Sequence, residues 1–255
     1  VKGGRVRADR RIDAFWAGFF GVPERALAEA GARVVPHAGL GDYAGVWFFV
    51  RGGACVVSAP PAWCETLRGA LAEESFEALL SEDALRALFG ESFRGTVGPA
   101  YQGWLDPGRF RPRPSPAVRA IAPGDARAIE SLRAACSEDD WRDADLRLDG
   151  PGAFGCFEGG ELVAAASLTP WGEGVAGPGV LARPRHRGRG CGAAAVSAAV
   201  ERALGAGDLV VYQTLMSNSP AVGIATALGF ARYASHLAVR LQGPPARRSG
   251  PDDDR

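Results

Sequence analysis

The sequence predicts an α/β (α+β) protein built from two units, a smaller α/β unit followed by a larger one. Three observations carry this. Two β-rich runs each turn on a Gly-Gly pair, "GVWFFVRGGACVVSAP" and "AFGCFEGGELVAAASLTP". Helical apolar spacing recurs between the β-rich runs. The stretch 106–117, "DPGRFRPRPSPA", carries four prolines and three arginines; it suits neither a regular helix nor a central strand and marks a boundary.

In chain order, residues 1–11 are basic and expected to be flexible. "IDAFWAGFFG" predicts a helix. A turn at Gly21-Val22-Pro23 and a second helix ending at Gly31 follow, with Pro23 suited to a first helical position and Gly31 to the position past the end. "ARVVPH" is a strand. The run around Arg51-Gly52-Gly53 is a hairpin. "AWCETLRGALAEE" and "SEDALRALFG" are helices, and "GTVGPAYQGWL" a strand. This first unit spans 12–105, with a linker over 106–116.

The second unit, 117–242, restarts with a strand and turn in "AVRAIAPGD" and a helix in "ARAIESLRAAC". The Gly159-Gly160 hairpin follows, then a glycine-interrupted strand, "GVAGPGVLARP". A helix from Gly190 to about Gly205, a strand "LVVYQTL", a short helix "SPAVGIATALG" and a final strand "FARYASHLAVRL" complete it. Residues 243–255 have a composition that favours disorder. Aligning the two Gly-Gly turns sets Trp47 against Phe154 and Val56 against Val163, which hints at an internal repeat.

A hydrophobic share of 47% permits a sizeable buried core. The 29 basic and 29 acidic residues cancel, so the overall basic excess of a nucleic-acid binder is absent. Lys2 is the sole lysine; abundant Arg, Ala and Gly reflect base composition more than arginine chemistry. Cys55, Cys64, Cys136, Cys156 and Cys191 form no C-x-x-C, and His37, His186 and His236 are far apart, so no metal site is expected. No apolar run is long enough for a bilayer and no signal-peptide core opens the chain. The expectation is a cytoplasmic protein with no membrane and no nucleic-acid partner, monomeric or homodimeric.

Against that neutral background one segment is concentrated. Residues 183–192, "RPRHRGRGCG", hold four arginines, a histidine and three glycines before an alanine run. A helix starting near Gly190 leaves its first N–H groups without internal partners, and the helix dipole adds positive potential. Such a terminus holds anions, glycines let a phosphate approach the main chain, and Arg187 and Arg189 can add charge-assisted bonds. A dinucleotide fingerprint on Gly188, Gly190 and Ala193 fails, because Pro184–Arg187 separate it from the strand. The acidic residue roughly twenty positions on is also missing, since Asp208 precedes its strand. A P-loop fails for lack of Gly-Lys-Ser/Thr.

Arg187-Gly188-Arg189-Gly190-Cys191-Gly192, approached through a strand and Ala182-x-Pro184, resembles motif A of the Gcn5-related N-acetyltransferase (GNAT) superfamily. Downstream, "NSPAVGIATALGF" resembles motif B, with Asn218, Ala221, Ile224, Gly229 and Phe230 at that family's spacing. The resemblance covers roughly 117–241. It implies the GNAT fold: a mixed, mostly antiparallel sheet splayed at the fourth strand and flanked by helices, with acetyl-CoA as co-substrate in the gap. It further implies that the main chain of Val180, Leu181 and Ala182 pairs with the pantetheine arm. Amides from Arg187, Gly188, Arg189, Gly190, Cys191 and Gly192 would hold the pyrophosphate, with Asn218 and Ala225 at the pantetheine. The first unit looks like the N-terminal region of two-domain bacterial acetyltransferases, a degenerate GNAT-like half.

Acetyl transfer needs a neutral amine and a proton for the departing thiolate. The family's motif B tyrosine position is Ala225 here. Tyr212 is the best remaining hydroxyl, ahead of Ser217, and Glu173 the candidate base. A buried strand tyrosine and a solvated turn glutamate are the structural alternatives. Cys191, at a helix start, sits where thiols are acidified, though the resemblance uses only its amide; His186 is expected as a solvent-exposed loop histidine. The resulting expectation is an N-acetyltransferase acting on a small-molecule amine. Protein or peptide acetylation and a catalytically silent CoA-binding module are the alternatives.

Overall fold

The computed structural model describes residues 5–242, with side chains from residue 10 onward. Residues 1–4 of the expected flexible start, and the expected disordered tail 243–255, lie outside the described residues. The chain divides into two compact units, one from residues up to Ala100 together with those from Ala234 onward, the other Tyr101–Tyr233. The divisions fall inside two strands rather than in the Pro/Arg-rich stretch.

In the first unit the elements are α1 (Arg5–Phe20), β1 (Gly31–Pro36), β2 (Val46–Arg51), β3 (Ala54–Ala59), α2 (Pro61–Glu73), α3 (Phe76–Leu79), α4 (Glu82–Phe89) and the start of β4 (Phe93–Leu105). The helix α1 begins inside the stretch expected to be irregular. The helix expected after Pro23 reduces to a single 3₁₀ turn, Glu24–Leu27, that buries only Ala26 and Leu27. β3 pairs antiparallel with β2 across the Gly52-Gly53 turn and parallel with β1. The pleat sends neighbouring residues of β2 to opposite faces. Phe48 joins Val57, Trp63, Leu67, Leu85 and Phe89 in one core, while Phe49 packs at a tilt against Trp16 at 4.6 Å.

The second unit contains the end of β4, then β5 (Val118–Ala120), α5 (Ala126–Ala134), α6 (Glu138–Ala144), β6 (Phe154–Glu158), β7 (Glu161–Gly172) and β8 (Val175–Ala182). It continues with α7 (Cys191–Gly205), β9 (Leu209–Leu215), α8 (Ser219–Leu228) and the start of β10 (Ala231–Leu241), whose later residues, Ser235–Val239, pair with β2 in the first unit. The Pro/Arg-rich stretch is anchored here: Arg111 N donates to Leu228 O (3.0 Å) and Arg113 N to Ser197 Oγ (2.8 Å). Strands β5, β6, β7 and β8 pair antiparallel in that order, and β8 pairs parallel with β9. One face buries Leu132, Leu162 and Ala165 with α5; the other buries Ala195, Val196 and Val200 of α7 with Val210 and Tyr212 of β9. The mixed, mostly antiparallel sheet with helices is the predicted fold class. The two Gly-Gly hairpins share a turn, but β3 is flanked by a parallel strand and β7 by an antiparallel one.

Candidate active site

The site begins with a strand that loses its neighbour. Parallel strands β8 and β9 share only two register pairs, Val175↔Leu209 and Ala176↔Val210, although each strand runs on for several more residues. The backbone phase explains why. Arg183 N donates to Val163 O, so the main-chain groups of odd-numbered residues in β8 point toward β7. Leu209 N donates to Gly174 O, so those of even-numbered residues point toward β9. The next rung after Ala176 requires residue 178 to donate an N–H. That residue is Pro178, which has none. The ladder ends there and the two strands diverge.

Beyond the last rung, the main-chain groups of Val180 and Ala182 face the gap. Leu181 does not join them: it is register-paired with Ala165, and the same phase commits its main chain to β7. The expected three-residue edge is therefore two residues. Part of it is already engaged, since Ala182 O accepts from Arg187 Nε at 3.2 Å.

The arginine-glycine loop lies at the open end of this gap. A short turn, Pro184–His186, leads from β8, and Gly188 (φ 76°) and Gly190 (φ 88°) adopt the left-handed conformation that favours glycine. A Cβ built on either would meet nothing within 4 Å, so both face open space. The first intrahelical bond of α7 runs from Ala194 N to Gly190 O at 3.0 Å. The amides of Cys191, Gly192 and Ala193 thus precede the helix ladder, at the positive end of a fifteen-residue dipole. Gly192 joins the parts of the site: a Cβ there would lie 3.3 Å from Val180 Cγ2 and 3.8 Å from Ile224 Cδ1. Gap, helix start and α8 therefore meet at one point, with glycine present because the approach is close.

The four arginines separate into distinct roles. Arg183 is buried, donating from Nε to Leu162 O (2.9 Å) and from its guanidinium to Ser131 Oγ (2.7 Å), which anchors the end of β8. Arg185 pairs with Glu161. Arg187 pairs with Asp140 at 2.9 Å, and this bond together with Ser137 holds the Asp140 carboxyl below its ordinary range. Arg189 stands 3.8 Å from Glu158. Arg187 and Arg189 both project from exposed positions, so an incoming anion can compete for them.

Other expected residues fall in less reactive surroundings. The Cys191 side chain is buried beside Cys156, and its thiol donates to Glu158 Oε1 at 3.3 Å. Burial first, and then those two neighbours, push the thiol up to about 12, opposite to the acidification its helix position predicts. Asn218 caps α8, its Oδ1 accepting from Ala221 N at 3.2 Å. Ala225 is fully buried rather than presented to the gap. Tyr212 is 2% exposed, packed edge-on against Phe230 at 5.2 Å in the cluster that also holds Ala225. Burial raises its hydroxyl far above the ordinary phenol range. Glu173 is exposed in the β7–β8 turn, at the closed end of the β8–β9 pair, away from the loop. His186 is more enclosed than a solvent-exposed loop histidine, with a side chain 11% exposed. Sequence reasoning missed Asp140, Glu158 and Cys156 around the loop, and Pro178 at the splay.

A splayed parallel pair whose open edge leads to a glycine-rich helix start places free main-chain groups beside a helix terminus suited to an anion. The acetyltransferase (GNAT) family matches residues 120–230, which include every part of this site. That segment is similar to a GNAT acetyltransferase domain. Among solved structures the chain is similar to a GNAT-family acetyltransferase from Colwellia psychrerythraea (15% identity, TM-score 0.49), covering 64% of this chain and 63% of that one. It is also similar to a GCN5-related N-acetyltransferase from Kribbella flavida (21% identity, TM-score 0.48), covering 85% of this chain and 80% of that one. No curated protein matches the sequence. Among the described residues no helix is long and apolar enough to cross a membrane.

Proposed function

We propose that the protein is an acetyl-CoA-dependent N-acetyltransferase that moves an acetyl group to a small-molecule amine by direct attack in a ternary complex. The observation that carries this is the end of the β8–β9 ladder at Pro178 beside the unpaired amides of α7. An amide-bearing pantetheine arm fits the free edge at Val180 and Ala182 as an added strand would. The pyrophosphate fits the amides of Gly188–Gly192, where both left-handed glycines face open space. Acetyl-CoA supplies the activated acyl group as a thioester.

The chain's own part is alignment and charge stabilisation. Pro178 has no N–H, so Val180 is the first residue past the splay able to donate a main-chain bond to the oxygen that gains negative charge during attack. The acceptor nitrogen must be neutral, and an alkyl amine with a pKa near ~10.4 is mostly protonated at neutral pH. Neither Tyr212, buried in the core, nor Glu173, exposed in its turn, stands along this edge. The same positions favour a second reading, a CoA-binding module without chemistry, since Ala225 supplies no hydroxyl.

A thiol-release assay with acetyl-CoA and a panel of small amines, amino acids and peptides tests both. Turnover of a small amine supports the proposal. Turnover of peptides alone replaces the acceptor class. Calorimetric CoA binding with no turnover across the panel establishes the silent module, and no CoA binding overturns the site itself.

A further inference from the structure

Beneath the phosphate loop, two residues of β6 and the first residue of α7 converge on the side away from the gap. Cys156 lies on β6, Glu158 two residues later at the end of that strand, and Cys191 is the first residue of α7. One donor atom from each, two thiol sulfurs and a carboxylate oxygen, lie within 4.8 Å of one another. The Cys191 Sγ to Glu158 Oε1 separation is 3.3 Å. His186, in the turn before the loop, places Nε2 3.8 Å from the second carboxylate oxygen of Glu158. Its Nδ1 is buried with no hydrogen-bond partner among the described residues.

These distances match a known coordination figure. Zinc takes thiolate at about 2.3 Å and imidazole or carboxylate at about 2.0–2.1 Å, and a regular tetrahedron built on those lengths has edges of roughly 3.3–3.8 Å. The 3.3 Å and 3.8 Å separations, one to each carboxylate oxygen of Glu158, are on the scale of such edges, and binding contracts the 4.8 Å cluster of Cys156, Glu158 and Cys191 and turns one oxygen of Glu158 to the ion. The donor set, two sulfurs, one imidazole and one carboxylate, is the mixture that selects a thiophilic divalent ion over magnesium or calcium. Cys156 and Cys191 are buried, while Glu158 is 44% exposed and gives an entry path.

We propose that Cys156, Glu158, Cys191 and His186 form a binding site for one divalent cation of the zinc class. Binding replaces two S–H bonds with two metal–sulfur bonds and releases two protons to solvent, with no change in oxidation state. Arg189, 3.8 Å from Glu158, is the cation that the metal displaces from that carboxylate. The ion cross-links β6, the turn after β8 and the first residue of α7. It therefore clamps the base of the anion-binding loop without occupying it. Sequence spacing gave no sign of this site, since Cys156 and Cys191 stand 35 positions apart.

The test uses the full chain, purified under reductant and stripped with chelator, then titrated with Co²⁺. The expected result is one equivalent bound, with thiolate-to-cobalt charge-transfer absorption and the intense visible bands of tetrahedral cobalt. Cys156→Ser or Cys191→Ser should halve the charge-transfer intensity and weaken binding at least a hundredfold, and the double variant should lose the band. Cys136→Ser should leave it intact. Far-UV circular dichroism checks that each variant folds. If the serine variants fail to fold, alkylation of the unaltered protein decides the matter by peptide mapping: Zn²⁺ should slow modification of Cys156 and Cys191 at least tenfold and leave Cys136 unchanged. A missing charge-transfer band, a band that survives the double substitution, or unprotected cysteines would overturn the site. Isolation of Cys156 and Cys191 as a disulfide would do the same.

Discussion

Gly190→Glu separates fold from function at the anion site. The residue caps α7 with φ 88°, and a Cβ built there meets nothing within 4 Å. The fold therefore loses only backbone strain, about 1–2 kcal/mol for a non-glycine residue in the left-handed region. A carboxylate at a helix N-terminus recovers about 0.3–1 kcal/mol of that. The net cost of about 1 kcal/mol lowers Tm by roughly 2–4 °C in a chain of this size. CoA binding should suffer far more, because the tethered carboxylate occupies the amides of Cys191 and Gly192 and repels the pyrophosphate. Losing one or two charge-assisted bonds at about 1.5–3 kcal/mol each gives about 3 kcal/mol, roughly a hundredfold in Kd. Calorimetric titration with CoA, beside thermal unfolding of the same samples, measures both quantities. Gly190→Ala carries the strain without the charge, so its CoA affinity should fall between the two while its Tm lies slightly below that of Gly190→Glu. A folded Gly190→Glu protein that binds CoA within twofold of the parent would refute the placement of the phosphate.

Three further outcomes follow from other parts of the structure. Pro178→Val restores a donor toward β9, so the ladder should extend by a rung. Amide exchange at residue 178 should then be slow and CoA affinity reduced; fast exchange with unchanged affinity would count against proline as the cause of the splay. Asp125 is held at about 2 first by its bond to Arg119 and then by the Ala122 amide, below an ordinary 3.8. Its contribution is present above about pH 3.8 and lost as pH falls through about 2. Urea midpoints of Asp125→Asn should lie below the parent at neutral pH and converge with it in strong acid. His236, stacked on Trp47 at 4.4 Å, is lowered by burial from 6.5 to about 4. The unfolded chain then binds the extra proton first, so stability is complete above about pH 6.5 and declines as pH falls toward 4. His236→Phe should flatten that decline in urea unfolding, and an unchanged slope would assign it to other groups.

What the sequence disclosed follows the range over which each signal acts. β9 and α8 were legible because apolar runs and end signals are local, as were the glycines that open α7. The helix expected after Pro23 failed because its apolar residues, Ala26 and Leu27, fill a single turn, with exposed Ala28, Glu29 and Ala30 beyond them. Helix α6 was missed for the reverse reason. "EDDWRDA" has no apolar face, and its signal is Ser137, whose hydroxyl accepts from Asp140 N at 3.1 Å, followed by three acids in the first turn. Tyr212 and Glu173 were chosen by chemical type, and type says nothing about direction. Tyr212 shares the side of β9 that carries Val210 toward α7, so it is committed to the core.

Pro178 shows where local reading stops. In the sequence it is one interruption in "GVAGPGVLARP", with nothing to say which neighbouring strand loses the donor. Whether it breaks the ladder depends on parity, and parity is fixed by two bonds elsewhere, Arg183 N to Val163 O and Leu209 N to Gly174 O. Shift the register by one residue and the missing donor would face β7, while Leu181 instead of Val180 and Ala182 would border the gap. Buried Arg183, held by Leu162 O and Ser131, helps to pin that register from the side opposite the gap. An arginine that looks like part of the phosphate loop thus acts on the other end of the problem, by setting which backbone groups are left free.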